Sequence, residues 1–126
     1  MAGVSLHVDP GTGISTLTAV GRVTANEVIA ALDEFYAGSP TLLALCDLSQ
    51  ADLLLFSTEQ VARIVAFTIA RAQARLGGRT AIVSVGDLEY GMARMYEVLA
   101  ELGKHAVVIR AFRAREDASQ WLREER

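Results

Sequence analysis

The sequence predicts an α/β domain with a mainly parallel sheet, and three observations carry that prediction. Two capping-box tetrads, Thr24-Ala25-Asn26-Glu27 and Ser57-Thr58-Glu59-Gln60, open stretches with helical spacing. Short apolar, β-branched runs alternate with those helices, the order that lays right-handed crossovers over a sheet. The run at residues 42–48 is apolar on both parities until Asp47, as a central strand covered on both faces reads.

Taken in order, residues 5–8 and 14–20 flank Asp9-Pro10-Gly11-Thr12-Gly13, a turn of residues that permit or preset unusual φ. They form a β-hairpin, which implies one antiparallel strand at an edge. Behind the first capping box, Val28, Leu32 and Phe35 recur at helical spacing, and Gly38-Ser39-Pro40 stops that helix. Behind the second, Val61, Ile64, Val65, Thr68, Ala72 and Leu76 make an inward stripe that Gly77-Gly78 ends. Residues 80–85 are a further buried strand. Asp87 is placed to cap a third helix, with Leu88, Met92, Met95, Leu99 and Leu102 as its buried side and Gly103 at its end. Residues 105–112 are the last strand, and residues 116–126 a closing helix that buries Ala118, Trp121 and Leu122. The order is β-β-α-β-α-β-α-β-α over residues 1–126: a mixed five-stranded sheet and four helices in one domain, without repeat or linker.

At 126 residues such a chain buries roughly two thirds of its unfolded surface. With 52% hydrophobic and 21% charged residues it is globular. No apolar run approaches a membrane span and no signal pattern opens the chain, so a cytoplasmic protein is expected. The net charge of −3 gives no general attraction to nucleic acid. Eleven arginines stand against one lysine, Lys104, a preference that genome composition produces as readily as function. The single cysteine, Cys46, excludes an internal disulfide and a cysteine-based zinc site, and reads as a buried, inert thiol.

Two stretches carry a family resemblance. Cys46-Asp47-Leu48-Ser49 is similar to the Asp-Leu-Ser at the end of the third strand in STAS domains, the fold of bacterial anti-sigma-factor antagonists. Phe112-Arg113-Ala114-Arg115-Glu116-Asp117-Ala118-Ser119-Gln120-Trp121-Leu122 resembles the phenylalanine, acidic turn, alanine, tryptophan-leucine ending of the divergent SpoIIAA-like family. The element order agrees over essentially the whole chain. The resemblance implies a non-enzymatic domain that binds a protein partner (an anti-sigma kinase in the antagonists), a membrane surface or an apolar ligand near the loop after the third strand. In the antagonists that loop enters its helix through Asp-Ser-Ser-Gly, whose first serine is phosphorylated. Alignment on Asp47-Leu48-Ser49 puts Leu55, Phe56, Ser57 and Thr58 there, so the phosphoacceptor is replaced, and only a one-residue slip lets Ser57 or Thr58 serve.

The residues themselves point to contact rather than chemistry. Leu53, Leu54, Leu55 and Phe56 form a four-residue apolar loop. Phe56 and one leucine are accounted for by a staple on Val61 and by the core. Neighbouring side chains diverge, so all four are not buried together, and exposed apolar surface marks contact sites. On the next helix, Arg63, Phe67 and Arg71 lie four apart, with Arg75 continuing and Glu59 in reach of Arg63. Such a stripe is an ordinary solvated face or, beside the loop, the basic rim of an apolar patch for an anionic membrane or an acidic partner. The same patch offers a homodimer contact. A carrier is the alternative from a different class: Leu53, Leu55, Met92 and Tyr96 enclosing a lipid-like ligand. His7 and His105 lack companions at metal-ligand spacing, no phosphate-loop or dinucleotide fingerprint is present, and no cofactor is expected. Asp47 and Asp87 end neighbouring strands, but the second acid and the lysine of phospho-receiver domains are missing. The expected contact site is therefore the 49–58 loop with its flanks: Asp47, Ser49, Leu53, Leu54, Leu55, Phe56, Ser57, Thr58, Arg63, Phe67, Met92 and Tyr96.

Overall fold

The computed structural model describes residues 2–124. Its elements are β1 (Gly3–Asp9), β2 (Ile14–Arg22), α1 (Ala25–Ala37), β3 (Leu43–Asp52), α2 (Thr58–Ile69), β4 (Arg79–Val83), α3 (Asp87–Leu102), β5 (Val108–Phe112) and α4 (Arg115–Arg123), with a 3-10 turn at Ala72–Arg75. The sheet order is β1-β2-β3-β4-β5, antiparallel only between β1 and β2. Each crossover steps the same way across the sheet, so right-handed connections put α1, α2 and α3 on one face. Helix α4 covers the other, packing on β3, β4 and β5.

The pleat sorts the side chains accordingly. On β3, Ala44, Cys46 and Leu48 face the three-helix layer. Leu43, Leu45 and Asp47 face α4, where Leu45, Ala81 and Val83 meet Ala118, Trp121 and Leu122. The capping boxes at Thr24 and Ser57 are both complete. Gly78 lies so close to the Leu42 and Arg75 carbonyl oxygens that a Cβ there would collide with both.

Several expectations are corrected. Helix α2 stops at Ile69 instead of running to 76, although residues 70–76 are good helix formers. The chain tightens there, with the Arg71 amide bonding to Thr68 O, and Arg75 is drawn inward to the Thr41 and Leu42 carbonyls just before β3 and the Arg79 carbonyl at the start of β4. Leu76, expected inside, is left 62% exposed. In α3 the buried seam is Ala93 and Ala100, while Leu88 and Leu102 are exposed. Small alanines let the helix sit close to the sheet, and that leaves Leu88 and Leu102 at its ends outside while Met92 and Leu99 stay against the core. Asp87 is the first helical residue rather than its cap. Gly86 takes the cap position without a side-chain bond, and Asp87 pairs with Arg113 at 3.1 Å. Lys104, not Gly103, adopts the left-handed φ of 54° after α3. His105 precedes β5 instead of opening it, and residues 125–126 of the expected closing helix lie outside the described residues.

The correction that matters most for function concerns β3. Asp47 does not end the strand, because β3 continues to Asp52 against a lengthened β2, across a register shift between Thr18 and Val20. Strand β4 stops at Val83, opposite Asp47. The last five residues of β3 therefore project roughly 16 Å beyond its other neighbour.

Candidate functional site

That projection, backed by β2 and in part by β1, carries the apolar loop, and local bonds fix the loop in place. The Leu54 amide donates to Asp52 Oδ1 at 2.8 Å, the Phe56 amide to Leu53 O at 2.9 Å, and the Leu53 amide to Glu89 Oε2 at 3.1 Å. A Cβ on Gly86 would collide with the Glu89 carboxylate, so this glycine leaves Glu89 room to reach the loop. Asp52 also pairs with Arg22 at 2.9 Å. The Leu54 amide first, and then Arg22, hold its carboxyl below the usual range.

The four apolar side chains divide by direction. Leu53 is 3% exposed, whereas Leu54 and Leu55 are 61% and 51% exposed. Phe56 is partly buried beside Ala19, Val23 and Leu53. Val85 and Leu88, both read from the sequence as buried, are instead exposed at the same carboxyl end of the sheet, because β4 stops at Val83. The signal for that exposure was faint: an apolar residue between a strand end and Gly86, then one in the first turn of a helix. With Leu54 and Leu55 they are outward apolar side chains on this end of the molecule, the leucine pair forming its tip.

Other expected site residues are committed elsewhere. The Asp47 carboxylate is buried against α4, accepting from Arg115 at 2.8 Å and from the Ser49 amide at 2.9 Å. Burial raises its pKa, but the Ser49 bonds and Arg115 outweigh burial and leave the carboxyl below its usual range. Ser49 is exposed on the far part of β3. Ser57 Oγ accepts from the Gln60 amide at 3.2 Å, and Gln60 Oε1 accepts from the Ser57 amide at 3.0 Å. Ser57 and Thr58 are both solvent-exposed.

The basic stripe does not form as expected. Arg63 donates to Asn26 on α1 rather than pairing with Glu59. Arg71 stacks on Phe67, 3.6 Å from the ring centre. Arg75 has left the surface altogether. The expected carrier wall changes too: Leu55 turns to solvent, while Leu53, Met92 and Tyr96 line a deeper cavity of about 110 Å³ between the sheet and its three helices.

Burial pushes the Cys46 thiol up to about 11, the opposite of what a nucleophile needs. Burial likewise raises the Tyr96 hydroxyl. His105 is lowered by burial and then by Arg75. Among the described residues no three histidine, cysteine, aspartate or glutamate side chains converge to hold a metal ion, and no helix is long and apolar enough to cross a membrane.

The architecture can now be set beside known proteins. No protein-family profile matches the chain, and no curated protein does. Solved structures do. An uncharacterized DUF3478-family protein with a SpoIIAA-like fold from Shewanella loihica superposes with a TM-score of 0.62 at 19% identity, over 97% of this chain and 95% of that one. The chain has the SpoIIAA-like fold. An anti-sigma factor antagonist from Mycobacterium paratuberculosis gives the same TM-score at 18% identity, over 97% and 96%. SpoIIAA-like architecture is thus shared over nearly the full length of all three chains, at identities that speak for the fold alone.

Proposed function

We propose that this SpoIIAA-like chain is a non-catalytic docking module that binds a protein partner through the loop after β3, with Leu54 and Leu55 as anchors and Val85 and Leu88 exposed at the same end of the sheet. The carrying observation is the outward pair of leucines on a loop whose backbone is already bonded. A preformed loop loses little freedom on docking, so more of its apolar burial is expressed as affinity. That one structural neighbour is an anti-sigma factor antagonist supports a protein as the occupant.

Photo-crosslinking tests the reading. A photoreactive leucine analogue at position 54 in a lysate of the source organism is expected to form a discrete protein adduct, with none from the exposed control position Ala62. Replacing Leu54 and Leu55 together by serine is expected to weaken the identified partner about 100-fold, from about 1.4 kcal/mol of apolar burial per leucine. Equal labelling from both positions defeats the proposal. An adduct of twice the chain's mass reassigns the tip to self-association, and cosedimentation with anionic vesicles reassigns it to a membrane surface.

A further inference from the structure

The cavity behind the tip has two chemically distinct ends. Leu48, Leu53 and Met92 line it toward the carboxyl end of the strands, and Ala44, Cys46 and Ile82 floor its middle. Packed interiors leave few voids larger than a water molecule, so about 110 Å³ of space calls for an occupant.

The amino end supplies the chemistry of that occupant. Arg75 lines it, is 3% exposed, and belongs to none of the side-chain ion pairs among the described residues. Its Nε donates to Thr41 O at 2.6 Å, and its Nη2 to Leu42 O at 3.1 Å and Arg79 O at 3.2 Å. Its Nη1 reaches the Tyr36 hydroxyl at 3.3 Å. A guanidinium has five N–H donors, so one on Nη1 stays uncommitted. The charge is held by neutral dipoles and by the faces of Phe35 and Tyr36, 5.1 and 6.0 Å from the guanidinium carbon, and no carboxylate among the described residues pairs with it. Thr80 follows the Arg79 carbonyl, lines the same cavity and is 7% exposed. Its buried Oγ1 has no hydrogen-bond partner, a condition most native structures avoid. An unbalanced cation and an idle hydroxyl in one apolar chamber ask for the same guest.

We infer that the cavity binds a small carboxylic acid with a short apolar tail. The carboxylate accepts from the Thr80 hydroxyl and the free Nη1 hydrogen of Arg75, and the tail lies against Cys46, Ile82 and Met92. Size narrows the class. An apolar cavity of 150 Å³ takes benzene, with six non-hydrogen atoms, so one of about 110 Å³ suits a guest of about four to six, with butyrate and isobutyrate at the upper end. The inference stands apart from the docking tip and does not rest on it.

Methyl NMR of the full chain titrated with butyrate, with its neutral counterpart butyramide and with octanoate tests it. Saturable shifts at Ile82, Met92 and Thr80 are expected with butyrate, about tenfold weaker binding with butyramide, and none at these methyls with octanoate. Thr80→Val is expected to weaken butyrate about tenfold while melting no lower than the parent, because it removes an unpaired buried hydroxyl. No saturable shift, equal affinity for acid and amide, octanoate binding as tight as butyrate, or a Thr80→Val variant that binds unchanged or melts lower would each overturn the assignment.

Discussion

The two ends of the three-helix face are built on opposite plans. At the carboxyl end apolar side chains are turned outward, and the backbone beneath them is bonded by Asp52 and Glu89. At the amino end polar side chains are turned inward, around a cation that serves as donor to three carbonyl oxygens from the approaches to β3 and the start of β4. The difference separates two jobs. Arg75 holds the fold together at one end, while Leu54 and Leu55 contribute next to nothing to folding at the other.

Mutagenesis can break that contrast. The largest effect is expected at Arg75→Met, which keeps apolar bulk but strands three carbonyl oxygens. We expect a loss of about 3 kcal/mol in urea unfolding, or roughly 10 °C in Tm. A gain in stability instead would show that the unbalanced charge costs more than its bonds return. Asp47→Asn comes next, at about 1 kcal/mol, because its partner Arg115 is largely solvent-exposed. Its signature is in pH. The folded carboxyl titrates below its ordinary value of 3.8, so the unfolded chain binds more protons as the medium acidifies. The contribution is complete above that value and disappears as pH falls through it toward the folded pKa, and the variant's acid unfolding curve should be correspondingly flatter there. His105 adds a second, smaller slope of the same sign. Its folded pKa lies below 6.5, so stability is expected to decline as pH drops from 6.5 toward the folded value, and His105→Gln should remove that slope. The smallest effect is expected from the double serine variant at 54 and 55, within about 0.5 kcal/mol of the parent. A larger loss would mean that the tip is part of the core after all.

Local signals and long-range ones fared differently. The capping hydroxyls of Thr24 and Ser57, the hairpin turn at 9–13 and the buried Trp121 were legible because each depends on residues a few places away. That Leu53, Leu54, Leu55 and Phe56 could not all be buried followed from the geometry of adjacent side chains, but which leucine turns inward did not, and Leu55, placed in the carrier wall, faces solvent. Arg75 was misplaced because helical spacing put it on an outer stripe, and only the carbonyl groups 33 and 34 residues upstream reveal why it turns in. The alanine seam of α3 was missed for a related reason: large apolar residues draw the eye, while close approach to a sheet selects small ones. Of the cavity, made by side chains from three helices and all five strands, only Leu53, Met92 and Tyr96 were named from sequence, and its polar end at Arg75 and Thr80 had no local signature.

Because the end of β3 outruns β4, the leucine tip rides on an arm that lacks a neighbour on its β4 side, is backed by β2 and, as far as Val20, by β1, and carries the register slip beside Thr18. Bulges concentrate twist. Turning such an arm by about five degrees swings its end by about 1.4 Å over its roughly 16 Å length. A torsion too slight to disturb the body of the sheet is thus enough to aim, or misalign, the surface that greets a partner.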